Sequence, residues 1–316
     1  MEDVRCIFCS KGSEKIVIEE NGFKGRKCSQ CSLIFISPRQ TFAETLSLYV
    51  NDQGLTSANM HLSDAYVKRL HAKHNVSIIK KYRKEGAILE IGAGAGYFLD
   101  EARKKGFKAF GIEPNKIAAD FVTKNLKIPC EKTALSGSTF GEKKFDIVYH
   151  SNVLSHLYDP IVEFKKINEK LIDNGILVFE TGNIGEIKQK YYSLFDTFGY
   201  PDHLFFFGEN SIRSLLKITE FEIIKIYKYS IQWYLMIQKI KQKIKDFIIF
   251  GGTSNNSSNN SKDKALSSNS NHFDMKNALK SVYRTMLYFI RYKLGYILPK
   301  GDRPQTIIII ARKKKR

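Results

Sequence analysis

The sequence predicts an α/β fold in which a mostly parallel sheet alternates with helices. A small cysteine-rich unit precedes the sheet, and a helical insertion interrupts it before the last strand. Three observations lead to this prediction. Short apolar strands alternate with helical segments from about residue 75 onwards. One of these strands ends in a glycine-rich turn at residues 92–96. Four of the five cysteines form two CxxC pairs near the N-terminus.

Composition and charge narrow the class of protein. Of the 316 residues, 43% are hydrophobic and 26% are charged, which is typical of a globular protein and excludes a disordered or fibrous chain. The first residues lack the basic start and apolar run of a secretory signal. No stretch approaches the roughly 18 apolar residues that a membrane span needs. We therefore expect a cytoplasmic protein.

The cysteines organise residues 1–40. Cys6 and Cys9 form one CxxC pair, and Cys28 and Cys31 form a second pair 18 residues later. Two such pairs can present four thiolates to one tetrahedral zinc ion, and four thiolates leave no open position for water. The spacing therefore predicts a structural zinc site, with metal binding stabilising a unit too small to bury much core. The alternative is a pair of redox motifs or incidental thiols.

A strand, a glycine-rich turn and a helix follow. The apolar run 87–91 leads into the turn at residues 92–96 and a helix from Tyr97 to about Lys105. A second strand, residues 108–113, ends in Glu113, 21 residues after Gly92, where a carboxylate can accept hydrogen bonds from a ribose. A dinucleotide GxGxxG fingerprint starting at Gly92 would need glycine where Tyr97 stands. The turn is instead GxGxG, preceded by the acid Glu90.

This pattern resembles the class I S-adenosylmethionine (SAM) dependent methyltransferases, and the resemblance continues along the chain. Residues 145–149 are similar to the family's fourth strand, 153–160 to its VLEH-type segment with Ser155 in place of the acid, and 176–180 to its fifth strand. Residues 221–224 and 306–311 are similar to its final antiparallel pair. The similarity covers about residues 75–228 and 300–312. It implies a Rossmann-like, seven-stranded sheet in a SAM-binding domain over residues 41–230. The alternative is another Rossmann-like fold that binds a different nucleotide.

The resemblance also implies which residues hold the cofactor. Glu90 and the turn would flank the methionine part of SAM, Glu113 would hold the ribose, and the residues after strand four would lie near the cofactor. The residues implied are Glu90, Gly92, Ala93, Gly94, Gly96, Glu113, Pro114, His150 and Asn152.

The acceptor base is expected after strand five, in the segment 200–207. Sugar C-methyltransferases with a four-cysteine zinc unit carry Tyr-x-Glu-His here, whereas this chain has Tyr200, Asp202 and His203. We expect His203, oriented by Asp202 or Tyr200, to act as the general base, because imidazole titrates near working pH. His156 is a second catalytic candidate. For both histidines a purely structural role is the alternative.

Resemblance to sugar-modifying members suggests an acceptor. We expect methylation of a sugar hydroxyl, on a nucleotide sugar or within a surface or lipid-linked glycan. The alternatives are sugar C-methylation, O-methylation of a small aromatic or quinone, and a non-catalytic SAM-fold scaffold.

The last third of the chain is strongly basic. Residues 225–316 carry 20 Lys and Arg against four acids, a net charge of +16, and the preceding residues carry only +3. Two amphipathic segments, 231–250 and 275–298, flank a Ser/Asn-rich loop at about 251–272. We therefore predict a helical insertion over 231–300, then a last strand and basic tail over 301–316. The insertion would form a lid over the acceptor site or contact an anionic membrane at its inner face. Nucleic acid is a less favoured partner, because lysines outnumber arginines 15 to 5 and no recognition module is present.

Overall fold

The computed structural model describes residues 1–50, 64–137, 140–251 and 275–314. The predicted loop at about 251–272 and the last two residues of the basic tail therefore lie outside the described residues, apart from Gly251. Within the described ranges, no helix combines the length and the apolarity that crossing a membrane requires.

The described residues form two sheets and a set of helices. The strands are β1 Ile16–Glu20, β2 Phe23–Lys27, β3 Ile34–Ile36, β4 Gly86–Ile91, β5 Phe107–Ile112, β6 Cys130–Glu131, β7 Phe145–Ser151, β8 Leu171–Gly182, β9 Phe205–Phe206, β10 Phe221–Ser230 and β11 Gln305–Lys313. The helices are α1 Phe42–Val50, α2 Ala65–Ile79, α3 Tyr97–Lys104, α4 Lys116–Lys124, α5 Pro160–Lys170, α6 Glu209–Ile218, α7 Gln232–Gly251 and α8 Met275–Phe289. A π-helical turn, Ile290–Leu294, and a short helix, Gly295–Ile297, continue α8. Short 3₁₀ helices are Leu135–Gly137, Leu154–His156, Ile184–Glu186 and Gln189–Leu194.

The larger sheet confirms the predicted Rossmann-like methyltransferase fold. Its seven strands run in the order β10-β11-β8-β7-β4-β5-β6. The pairs among β4 to β8 are parallel, and β11 pairs antiparallel with both β8 and β10. The parallel strands are nearly continuous apolar runs because helices cover both faces of the sheet. All carboxyl ends of the parallel strands therefore meet at one edge, where open α/β sheets bind their ligands.

The smaller sheet joins the N-terminal unit to the larger domain. Its order is β1-β2-β3-β9, so a strand from residues 205–206 completes a sheet built by residues 16–36. Apolar side chains of this unit, among them Leu33 and Phe35, belong to the same buried cluster as Leu89 and Val148 of the large sheet. The N-terminal unit thus shares the core of one face of the sheet and does not depend on metal alone for burial.

The helical insertion packs against the other face. Ala72, Val76 and Ile79 of α2 share a buried cluster with Phe98 of α3 and with Tyr292, which follows α8. Tyr292 is fully buried, and the ring of His74 lies 4.1 Å from its ring centroid to centroid. The end of the insertion is therefore part of the domain, and it reaches the sheet next to the carboxyl end of β8.

Candidate functional site

One large cavity, about 820 Å³ in volume, opens at the carboxyl ends of β4, β5, β7 and β8. Its size and position are those of a small-molecule site in an open α/β fold. The turn after β4, the end of β5 and the segments after β7 and β8 all contribute to its wall, and α2 and the end of the insertion close one side.

The glycine-rich turn lies where it was predicted. The main-chain N–H groups of Gly92 and Ala93 donate to the Ile112 carbonyl at 2.8 and 3.0 Å, which fastens the turn to the end of β5. Gly92, Gly94 and Gly96 have φ of 70°, 53° and 68°, a region that favours glycine. Gly92, Ala93 and Gly94 line the cavity. Gly96 does not line it, because it begins α3 and packs against Val122.

The Glu113 carboxylate is held by main-chain hydrogen bonds and can accept more. Its two carboxylate oxygens accept from the N–H groups of Gly94 and Asn115 at 2.7 and 2.8 Å, and each oxygen keeps a second lone pair. Burial raises the pKa of Glu113, while these two N–H bonds oppose the shift. The carboxylate and the neighbouring Pro114 line the cavity, which fits the predicted role of holding a ribose.

Glu90 also faces the cavity and is completely buried. Burial, with the nearby charge of Glu113, raises its pKa well above the usual value for glutamate. One carboxylate oxygen, Oε2, is buried without a hydrogen-bond partner. A cationic ligand in the cavity would favour the ionised form of this carboxylate. The two acids thus suit a cationic, phosphate-free cofactor such as SAM.

His150, which was predicted to lie near the cofactor, does not line the cavity. Strand β7 continues through Ser151, so Tyr149 and Ser151 share one face and His150 lies on the other. Tyr149 and Ser151 line the cavity, and so does the predicted Asn152. His150 instead stacks on Phe179 at 5.0 Å, and burial lowers its pKa to about 3.

Three of the four predicted catalytic side chains, His156, Asp202 and His203, come together at the cavity wall. The Leu204 N–H donates to the Ser155 carbonyl at 2.7 Å, which joins the loop before β9 to the turn after β7. His156 Nδ1 lies 3.1 Å from Asp202 Oδ1, and the rings of His156 and His203 are 4.5 Å apart. One ring nitrogen of each histidine and one carboxylate oxygen of Asp202 all lie within 4.8 Å of one another.

The orientation of His203 differs from the expected one. Its Nδ1 donates to the main-chain carbonyl of Phe198 at 2.6 Å, so the lone pair of the neutral ring resides on Nε2. Burial and the nearby His156 lower the pKa of His203 to about 4, so the ring is neutral at pH 7. Tyr200 does not take part: its buried hydroxyl has no hydrogen-bond partner and lies against Gly25, away from the cavity lining.

A buried polar network beside the cavity was not predicted. Glu180, at the carboxyl end of β8, accepts from Asn75 Nδ2 at 2.7 Å, Arg291 Nη2 at 2.9 Å and the Tyr292 hydroxyl at 3.0 Å. Asn75 also donates to the Tyr149 hydroxyl at 2.7 Å. The sequence does contain a signal for Glu180: like Glu90, it is an acid at the carboxyl end of a buried strand. Nothing local in the sequence marks Arg291, which the fold brings from the insertion.

The four cysteines of the two pairs form a cluster. Cys6 Sγ lies 3.5 Å from Cys31 Sγ, and Cys9 Sγ lies 3.7 Å from Cys28 Sγ. A tetrahedral zinc ion with bonds of about 2.3 Å requires sulfur separations of about 3.8 Å, so the donor set fits. The two turns are also alike, because the fifth residue of each, Ser10 and Ser32, donates its N–H to the carbonyl of the first cysteine.

Comparisons with known proteins agree with this geometry. Residues 64–226, about half of the chain, match a family model described as a methyltransferase domain. The tRNA U34 carboxymethyltransferase of Helicobacter hepaticus is 27% identical over 107 residues, which are 30% of this chain and 34% of that protein. The chain therefore matches only about a third of this relative's length.

Solved structures share the fold. A SAM-dependent methyltransferase from Thermotoga maritima aligns with a TM-score of 0.50 and 14% identity, over 85% of this chain and all of that one (100%). Haemonchus contortus phosphoethanolamine N-methyltransferase 2, solved with S-adenosyl-L-methionine, aligns with a TM-score of 0.50 and 16% identity, over 89% of this chain and 62% of that one.

Proposed function

The chain belongs to the methyltransferase domain family that its residues 64–226 match, and from this premise we propose that it transfers a methyl group from SAM to a sugar hydroxyl. The acceptor would be a small-molecule sugar or a sugar within a glycan, and the product an O-methyl ether. The observation that carries the proposal is the neutral His203 at the cavity wall, with Nδ1 donating to the main chain and its lone pair on Nε2.

The residues of the turn and the two acids would hold the cofactor. Glu113 retains acceptor capacity for the ribose hydroxyls, and Glu90 with Gly92 and Gly94 would surround the methionine part. When bound, SAM supplies an electrophilic methyl group on a sulfonium, with a neutral thioether as the leaving group. The protein's contribution is to align the acceptor with that methyl group and to remove the acceptor's proton.

His203 would remove that proton. A hydroxyl bound beside it would donate to Nε2, and the proton would pass to this nitrogen as the oxygen forms its bond to the methyl carbon. Nδ1–H remains on the Phe198 carbonyl throughout, so the ring keeps its orientation. The Asp202 carboxylate, which favours the charged form of His203, would stabilise the imidazolium that results.

The charge of the cavity disfavours an anionic acceptor group. Among the described residues that line it, six acids face two cations; the acids are Asp64, Glu90, Glu113, Glu163, Glu180 and Asp202, and the cations are Lys68 and Arg291. Such a wall suits the cationic cofactor and an uncharged sugar ring. Any phosphate of a nucleotide or lipid carrier would bind outside the cavity, towards the basic insertion.

Two further parts of the proposal concern metal and location. The four-cysteine cluster, Cys6, Cys9, Cys28 and Cys31, would bind one structural zinc ion. The insertion would bind an anionic membrane surface peripherally, placing a cytoplasmic enzyme at the inner face where lipid-linked glycans are accessible. The contact of Arg291 with Glu180 also supports a lid role, because it makes the insertion one wall of the cavity.

The test uses SAM labelled on its methyl group, incubated with the purified protein and fractionated host extract. We expect label in nucleotide-sugar or glycan fractions as an alkali-stable ether. Label in RNA or amine fractions would overturn the sugar proposal. Absence of label in all fractions, despite binding of S-adenosylhomocysteine (SAH), would support a scaffold.

A matched pair of variants tests the cofactor site in the same assay. Gly94→Asp places a side chain at φ 53° and a carboxylate beside Glu113, so SAH binding should be lost. Gly12→Asp, at a glycine with open space around it, should bind SAH as the wild type does.

A further inference from the structure

The loop that carries His203 is held by the N-terminal hairpin. Strands β1 and β2 are joined by Asn21 and Gly22, both in the left-handed region with φ of 53° and 81°, as in a tight two-residue hairpin turn. This turn projects two polar side chains, those of Glu20 and Asn21, towards residues 198–200 from a distance of almost 180 positions in the sequence.

The contacts between hairpin and loop are specific. Glu20 Oε1 accepts from the Phe198 N–H at 3.0 Å, and Oε2 accepts from the Tyr200 N–H at 2.8 Å. Asn21 Nδ2 donates to the Tyr200 carbonyl at 2.7 Å. The two carboxylate oxygens therefore hold both ends of the Phe198–Tyr200 segment, and charge-assisted bonds of this kind are the stronger class.

The held segment is the one that fixes His203. The Phe198 carbonyl accepts from His203 Nδ1, and the Gly199 carbonyl accepts from the His203 N–H at 2.9 Å. One carboxylate thus holds the peptide units on both sides of the Phe198 carbonyl that sets the tautomer of the ring, and one of these units carries the Gly199 carbonyl that binds the His203 main chain. The Thr197 hydroxyl accepts from the Gly199 N–H at 2.9 Å, between the two N–H groups that Glu20 binds.

We propose that Glu20 is a positioning residue for His203, so that the cysteine-bearing N-terminal unit is a working part of the active site. The proposal rests on the function proposed above for His203. It places residue 20, outside the family-matched region 64–226, in control of the base.

Electrostatics and position make opposite predictions for Glu20→Gln. The charged or titratable groups that act on the His203 ring are His156, Asp202 and Glu20. Removing only the charge of Glu20 would lower the pKa of His203 further, because a carboxylate favours the protonated ring. Releasing the loop would instead hydrate the ring and raise its pKa towards the ordinary value of about 6.5.

The experiment follows the histidine Cε1–H signals by NMR between pH 5.5 and 8 in protein labelled at histidine. His203 is assigned among the seven histidines by the missing signal in His203→Gln. In the wild type this signal should not titrate, because the pKa is about 4. In Glu20→Gln we expect a midpoint inside the measured range. Glu19, which is exposed and precedes Glu20, provides the matched control: Glu19→Gln should behave as the wild type.

The remaining outcomes are also decisive. A His203 signal that stays flat in a folded Glu20→Gln protein overturns the proposal, as does turnover equal to that of the wild type. If Glu20→Gln fails to fold, the same titration is made on Asn21→Gly. Glycine preserves the turn and removes only the hydrogen bond from the Asn21 side-chain amide to the Tyr200 carbonyl. The titration needs no acceptor, so its failure is separable from failure of the proposed reaction.

Discussion

His203 combines a fixed tautomer with a lowered pKa. Its Nδ1–H is committed to the Phe198 carbonyl, and its low pKa keeps Nε2 unprotonated at pH 7. The ring is therefore a weak but always available base, whose conjugate acid is stabilised by Asp202 only when a proton arrives. This makes the residue the most informative single position in the cavity.

Replacing His203 with alanine should lower turnover by about 10²- to 10⁴-fold, the usual contribution of a general base, and leave SAH affinity unchanged. Turnover is measured with labelled SAM and the acceptor fraction, and affinity by calorimetry. Tyr200→Phe is the companion variant: because the hydroxyl of Tyr200 lies away from the cavity, it should retain turnover. A His203→Ala enzyme as active as the wild type would exclude the base role.

The proposed base role of His203 also predicts the pH dependence of turnover. Because burial and then His156 lower the pKa of His203 to about 4, the ring is free to accept a proton at every pH above about 5. We expect kcat/KM to be flat between pH 6 and 8 on this account and to fall as the pH drops towards 4. An acidic limb centred near 6.5, the value of an exposed histidine, would contradict this placement of the ring.

Among the elements, the cysteine turns are coupled to the loop of His203 through β3 and β9. Phe35 of β3 pairs with Phe205, two residues after His203. Loss of the proposed zinc ion would therefore affect more than local stability, because the sheet beside the cysteine cluster also carries the loop of His203.

Elemental analysis of protein purified under reducing conditions should give one zinc ion per chain. Cys31→Ser should contain well below one equivalent and unfold at a lower temperature, because three thiolates bind zinc less tightly than four. Cys130→Ser is the matched control, since Cys130 lies in β6 and belongs to no cysteine cluster in the described residues. Wild-type protein without zinc would refute the metal site.

A second element-level prediction concerns the insertion. Arg291→Met removes the cation paired with buried Glu180, so the free energy of unfolding should fall by about 3 kcal/mol, the typical effect of leaving a buried charge unpaired. Lys293→Met, at an exposed position two residues on, should change it little. Urea unfolding measures both variants. Equal stabilities would show that the insertion does not depend on this pair.

These elements also show which parts of the structure can be predicted from the sequence. The strands β4, β5, β7 and β8 are predictable because each contains a short, mostly apolar run. The acids Glu90 and Glu113 are noticeable in the sequence because parallel strands end at one edge. His150 was expected to follow the strand, but β7 continues through Ser151, and the alternation of side chains along a strand places His150 on the face opposite Tyr149 and Ser151. Arg291 and Glu20 were not predicted, because they reach the site through long-range packing and no local sequence pattern marks them.

For the whole molecule, the distribution of charge and apolar surface suggests an orientation. The last third of the chain carries nearly all the excess positive charge. The same region exposes a helical stripe on α8, formed by Leu279, Val282, Met286 and Phe289, with Ile240 and Ile244 exposed on α7. Apolar stripes beside lysines are the features that bind an anionic bilayer surface.

Sedimentation with phosphatidylglycerol vesicles tests this orientation. The wild type should co-sediment at low salt and less at high salt, because lysines interact with the surface only within about a Debye length. Leu279→Glu and Val282→Glu should each weaken binding about tenfold or more, since each withdraws an inserted apolar side chain worth roughly 1.5–3 kcal/mol.

Point variants are preferable to deleting residues 231–298, because the deletion would also remove Arg291 and Tyr292 from buried Glu180 and disrupt the cavity. Ile117→Glu provides the control: this side chain is 42% exposed on α4, outside the insertion, and its replacement should leave vesicle binding intact. If Leu279→Glu and Val282→Glu sediment like the wild type and like this control, the stripe is not a membrane surface. The insertion would then act only as the wall of the cavity, and the acceptor would have to reach the enzyme from solution.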